Sequence, residues 1–225
     1  MADTIPIVVA FDLLSGIIAL LVSYYAFQAR RLIDSSVLNA ISFGFMLLGA
    51  ALLVEGVTTL SLGLTIASAS RLRTFELLEN LAYLILQVAA LLVIAVGYAW
   101  ATFGRTNLLA GAASGFVVYA TKAKVAKLVG LALLLYYLFL GLEFIILLIL
   151  VFIMFQGFLI YAKGRDNSSL LVLLGFALIF VGHVVVLHSI LAISGTQYLI
   201  AASVQFLGFL SLLAFVIRSG RIGST

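Results

Sequence analysis

The chain is 225 residues long, and its composition is that of a membrane protein, with 65% hydrophobic and 9% charged residues. A water-soluble domain is nearer half apolar and a quarter charged, so the composition excludes a soluble fold and also excludes disorder. The net charge is +4, but the sequence contains no stripe of basic residues interleaved with aromatics, so nucleic acid is not an expected partner. The chain has no cysteine, which excludes disulfides and thiolate metal sites.

The apolar segments predict an all-α integral membrane protein. A bilayer core of ~30 Å is crossed by ~20 apolar residues as a helix. On this basis the sequence predicts a single domain of seven transmembrane helices in a 3+1+3 arrangement, with an interfacial or re-entrant segment at 106–121. The predicted helices cover residues 5–29, 35–60, 75–103, 125–141, 142–162, 168–192 and 198–217. The first segment is interpreted as a spanning helix rather than a cleaved signal peptide, because no basic region precedes it.

The position of the fourth helix depends on Lys122, Lys124 and Lys127, because cytoplasmic loops are enriched in basic residues. A crossing at 125–141 places ten basic residues inside and two outside, whereas a crossing at 107–121 gives seven against five. The second choice also leaves 128–162 as one helix of ~52 Å. We therefore prefer 125–141, with a turn near Gly141.

This arrangement sets the predicted orientation. The N-terminus lies outside the cell and the C-terminus lies in the cytoplasm. We expect a multi-pass protein of the plasma membrane.

A weak internal repeat accompanies this arrangement. A shift of 133 residues places the second predicted helix on the sixth without gaps. Serine, phenylalanine and glycine then coincide at Ser36 and Ser169, Phe43 and Phe176, and Gly49 and Gly182. Two three-helix repeats joined by one linker helix are an arrangement found in transporters, although chance similarity between Leu-rich helices is the alternative.

Resemblance to known families is limited. The outline is similar to that of microbial rhodopsins, but 198–217 contains no lysine for a Schiff base, so retinal is excluded. It is also similar to the SWEET sugar transporters, whose motif needs prolines, whereas Pro6 is the only proline here. Gly-Phe-Ala-Leu at 175–178 and Gln-Phe-Leu-Gly-Phe at 205–209 resemble uncharacterised multi-pass membrane proteins of archaea. That resemblance implies no known activity.

Polar residues inside the predicted spans indicate where a site lies. Charged groups in a membrane are usually buried, paired and functional. Those in the predicted outer half form the candidate ligand-binding cluster, which consists of Asp12, Glu79, Asn80, His183 and Gln205. The acidic residues and His183 are expected within hydrogen-bond or one-water reach of one another. The alternative is a set of separate groups near the lipid headgroups, which is the interpretation preferred for Glu55, Glu76, Glu143 and His188.

No cofactor is predicted. If the site holds a metal ion, its ligands are His183, Asp12 and Glu79, but no HxxxH or HExxH spacing is present. Haem is not expected, because His183 and His188 lie ~140° apart around a helix and no second deep histidine is available.

Three functions remain open. The first is a binding or sensing module, or a membrane subunit, that uses an outward-facing polar site. Its partner would be another membrane subunit or a second copy of itself. The second is a small-solute transporter built from the two repeats. The third is a membrane enzyme that uses His183 with a carboxylate, which is held lowest because no nucleophile is marked.

Overall fold

The computed structural model describes residues 5–30, 36–64, 69–103, 129–164, 167–192 and 195–222, and the side chains of most of them. All the described residues are helical, and none of them forms a strand. The helices are α1 (Ile5–Arg30), α2 (Ser36–Leu64), α3 (Ala69–Phe103), α4 (Val129–Gly164), α5 (Asn167–Ala192) and α6 (Gly195–Ile222).

Each described helix is long and apolar enough to cross a membrane. The apolar stretches are 22 to 28 residues long. Such stretches measure ~33–42 Å as helices, against a bilayer core of ~30 Å. Helices are the expected form because backbone polar groups in lipid must be satisfied within their own segment. The molecule is therefore a multi-pass helical membrane protein.

The prediction of seven helices is wrong for the described chain, which forms six. The predicted helices 125–141 and 142–162 are not separate, because α4 runs unbroken from Val129 to Gly164. Gly141 does not turn the chain. A glycine inside a helix costs only ~1 kcal/mol relative to alanine, and an apolar environment penalises open backbone groups far more. The residues before Tyr136, VGLALLL, are apolar as well, so the chain around Gly141 has no polar break that would favour a turn. The segment 106–121 and the three lysines lie outside the described residues.

The six helices form a closed ring in chain order. Each helix contacts its sequence neighbours among the described elements, and α1 contacts α6 to close the ring. We call the end at which α1 begins the upper end and the opposite end the lower end. The upper end is the one that the sequence analysis predicts to be outside.

Helices α3 and α4 run in the same direction. Gln87 and Glu143 both contact His183, and further along each helix Tyr98 and Gly157 line one cavity. The start of α1 and the end of α6 lie at opposite ends of the ring, because Phe11 of α1 packs on Phe206 in the first half of α6.

Small residues allow neighbouring helices to approach closely. A Cβ atom added at Gly49 of α2 would lie 2.9 Å from the backbone oxygen of Gly16 on α1. One added at Gly208 of α6 would lie 2.8 Å from that of Gly175 on α5. Association inside a membrane depends on such close packing, since lipid supplies no hydrophobic driving force between helices. Gly49 and Gly175 are therefore packing positions, as their sequence context predicts.

An aromatic layer fills the middle of the ring. The ring of Phe45 lies 6.3 Å from that of Phe176 and 6.4 Å from that of Phe209, and Tyr98 lies 6.5 Å from Phe176. Phe45, Phe176, Phe209 and Tyr98 are all buried. These four residues, from α2, α3, α5 and α6, separate an upper cavity from a lower one.

Candidate functional site

The upper cavity carries the polar chemistry of the molecule. Its volume is about 310 Å³, and residues of α2 to α6 line it. The polar lining consists of two carboxylates and three tyrosines, Glu55, Glu143, Tyr83, Tyr136 and Tyr198. The apolar lining consists of Leu84, Phe139, Val186 and Ile190. We call this space the upper cavity throughout.

Two acidic side chains of this cavity are deeply buried. Glu55 is 6% exposed and Glu143 is 4% exposed. Glu143 lies 14 residues, ~21 Å, from the start of α4, and Glu55 lies nine residues, ~14 Å, from the end of α2. An ionised carboxylate at that depth is expensive unless partners hold it, so such groups are uncommon outside functional sites.

A chain of hydrogen bonds supports Glu143 from below. His183 Nδ1 lies 2.9 Å from Glu143 Oε2, and His183 Nε2 lies 2.7 Å from Gln87 Nε2. In this arrangement Nδ1–H donates to the carboxylate, while the Gln87 amide donates to the unprotonated Nε2. His183 and Gln87 are 2% and 4% exposed, so the chain lies within the bundle, between the upper cavity and the aromatic layer.

Asp12 lies on α1, half-buried, and is not among the residues that line the upper cavity. Tyr198 and Tyr136 are 38% and 39% exposed, so their rings form the more open side of the cavity. The upper cavity is therefore an acidic, tyrosine-walled space at one end of the ring.

The predicted cluster is brought together only in part. His183 is at the centre of the polar network, with Gln205 packed against Gly182, next to His183. Asp12 is outside the described lining of the cavity. Glu79 and Asn80 lie in α3, but their side chains are outside the described part of the structure. Whether Asp12, Glu79 and His183 share a ligand stays a prediction. His188 is exposed, on the other face of α5.

The sequence places Glu143 wrongly and does not single out Gln87. Glu143 was expected at the membrane edge, because a turn was expected near Gly141; in the unbroken α4 it lies 14 residues from the helix start. Gln87 was not singled out, although a lone amide within the apolar stretch 81–102 was a usable indication. The described residues contain no group of three His, Asp or Glu side chains placed to hold a metal ion.

A lower cavity of about 240 Å³ lies on the other side of the aromatic layer. Its lining is mostly aliphatic and aromatic, with Ser169 and the Tyr98 hydroxyl as its polar side chains among the described residues. The chemistry of the two ends of the ring is therefore different.

Comparison of the chain with protein-family models, with curated proteins and with solved structures found no match. The resemblance to archaeal multi-pass proteins stays a prediction.

Proposed function

We propose that this membrane protein is a binding or sensing module that takes a small ligand into the upper cavity. The observation that carries the proposal is the position of Glu143, which lines the cavity and is also held by His183 and Gln87. A cavity of about 310 Å³ is at the small end of the range for ligand pockets, ~300–1,000 Å³. A few placed polar groups in a largely apolar wall are also typical of such pockets.

A bound ligand would explain why the bundle keeps buried polar side chains at positions where apolar side chains would make it more stable. A buried ion pair often stabilises a protein less than apolar residues of the same volume would. Glu55, Glu143, His183 and Gln87 are buried on four different helices, in a protein that is otherwise rich in Leu, Ile, Val and Phe. A ligand that gains from these groups would offset their desolvation.

We infer that a response to a ligand leaves through the membrane-facing surfaces of the bundle. The segments that join α1 to α2, α2 to α3, α4 to α5 and α5 to α6 are two to five residues long, and none of these four can hold an output domain. The segment 104–128 lies outside the described residues. A sensing role therefore involves the membrane-facing surfaces, and its partner is another membrane subunit or a second copy of this chain.

A pair of tryptophan variants tests the binding role. Ile190 lines the upper cavity, whereas Leu191 beside it is 59% exposed. Ile190→Trp fills the cavity and should abolish the thermal stabilisation that a bound small molecule gives to the wild type, because a ligand that binds only the folded state raises its stability. Leu191→Trp, the matched control, should keep that stabilisation. Equal ligand responses in both variants would refute a site in the upper cavity.

A transporter is the second candidate, favoured by the two cavities on either side of the aromatic layer. In the closed ring, α1, α2 and α3 occupy positions that correspond to α4, α5 and α6, which suits the repeat predicted from the sequence. Uptake into proteoliposomes of a solute that stabilises the protein would support this function. Phe176→Ala, which opens the aromatic layer, should then change the uptake rate more than it changes binding.

An enzyme is less well supported. The pair His183 and Glu143 suits acid–base chemistry, but the described lining of the upper cavity includes no serine or threonine nucleophile.

A further inference from the structure

We propose that the ligand of the upper cavity is an organic monocation, an ammonium group on an apolar or aromatic body. This inference rests on the proposed binding function and specifies its ligand class. It is carried by the charge, the wall chemistry and the size of the cavity.

The charge at the cavity wall is negative. Glu143, whose Oε2 lies 2.9 Å from His183 Nδ1, contributes one carboxyl group to the lining. Glu55 contributes a second carboxyl group from α2. No lysine or arginine is among the residues described at this cavity. A cation is the ligand that lowers the electrostatic energy of this arrangement.

The wall suits an organic cation better than a bare metal ion. Tyr83, Tyr136, Tyr198 and Phe139 contribute four aromatic rings, and an ammonium group is attracted to the face of such a ring. Calcium or magnesium takes about six or more oxygen ligands. Four of the nine lining residues are Leu, Phe, Val and Ile, which offer no side-chain oxygen and instead favour an apolar body.

The size suits a small ligand. A volume of about 310 Å³ is at the small end of the range for ligand pockets, and a single ring with a short ammonium arm fits this space.

A charge series tests the ligand class. The probes are 2-phenylethylammonium, the neutral 2-phenylethanol and the anionic phenylacetate, which share a phenyl ring on a short arm. We expect the ammonium probe to bind the purified protein at least tenfold more tightly than either analogue. Glu143→Gln keeps an acceptor for His183 Nδ1–H but removes the carboxylate charge. This variant should bind the ammonium probe at least tenfold more weakly than the wild type does. Glu55→Gln provides a second charge-removing variant should Glu143→Gln fail to fold.

The outcomes separate this inference from the binding function. If 2-phenylethanol or phenylacetate binds as tightly as the ammonium probe, and Ile190→Trp abolishes that binding, the cavity binds ligands but the cation assignment is wrong. If the ammonium probe binds equally to wild type and to Glu143→Gln and Glu55→Gln, the cation assignment is also wrong. The ammonium probe fails to bind in a third outcome, while other small molecules still stabilise Leu191→Trp and not Ile190→Trp. In that case the cation assignment is wrong and the binding function is kept.

Discussion

His183 of α5 and Glu143 of α4 form a buried contact, with Nδ1 2.9 Å from Oε2, that joins two helices at the depth of the upper cavity. The side chains are 3% and 5% exposed. Gln87 extends the contact to α3, so three consecutive helices of the ring are linked by one imidazole. The same carboxylate is part of the cavity wall, which ties the stability of the bundle to the proposed ligand site.

Removing His183 should destabilise the protein strongly. His183→Ala removes the hydrogen-bond donor of the buried Glu143 carboxylate and leaves a cavity in place of the imidazole, and the two losses together cost about 3–5 kcal/mol. For a chain of this size we expect the melting temperature to fall by about 6–20 °C. His188→Ala on the exposed face of α5 is the control and should melt close to the wild type. Equal melting temperatures for the two variants would show that the pair contributes nothing.

Gln87→Leu should have a smaller effect in the same direction. It leaves His183 Nε2 buried without a donor, for which about 1–3 kcal/mol is expected. The control is Gln28→Leu, because Gln28 makes its hydrogen bond to the Tyr24 hydroxyl on the exposed surface. Thermal unfolding in detergent should place Gln87→Leu below both the wild type and Gln28→Leu. A variant as stable as the wild type would argue against the Gln87–His183 contact.

Two glycine variants test the continuity of α4 against the close packing of α1 and α2. A Cβ at Gly49 would meet the Gly16 backbone oxygen at 2.9 Å, whereas a Cβ at Gly141 meets nothing within 4 Å. Gly49→Ala should therefore destabilise by about 1–3 kcal/mol. Gly141→Ala should be neutral or stabilise by up to ~1 kcal/mol, as alanine does inside a helix. Marked destabilisation by Gly141→Ala would indicate a turn there, contrary to the structure.

The helices could largely be predicted from the sequence, because apolar segments of bilayer length leave few alternatives to a helix. The prediction that was wrong is the division of α4 into two helices, 125–141 and 142–162. The ~52 Å length of one helix over 128–162 argues for a turn, but a helix longer than the bilayer core can tilt or extend past it. Composition and charge counts do not show where a helix extends beyond the bilayer.

The site could be predicted less completely. His183 was identified because an ionisable group deep in an apolar span needs a partner. Its described partner, Glu143, could not be identified once a turn was placed near Gly141. Depth along a helix follows from the sequence, but which helix faces which depends on ring closure, and that is set by contacts distant in the chain.

The orientation of the bundle can be tested by single cysteines, because the chain has none of its own. Pro6 is exposed at the start of α1, and Arg218 is exposed near the end of α6, at the opposite end of the ring. The described basic side chains, Arg30, Lys163 and Arg218, all lie toward the lower end, which favours that end as cytoplasmic. An impermeant thiol reagent on intact cells should label Pro6→Cys and not Arg218→Cys. Labelling of Arg218→Cys and not of Pro6→Cys would show the opposite orientation, with the upper cavity on the cytoplasmic side.

The most direct test of the binding site is a density map of the protein with 2-phenylethylammonium bound. The account predicts density for the probe within the upper cavity, with its ammonium group within about 4 Å of a Glu143 or Glu55 carboxylate, the usual ion-pair distance, and with His183 still bonded to Glu143. Probe density only on the lipid-facing surface, or a His183 side chain directed away from Glu143, would contradict it.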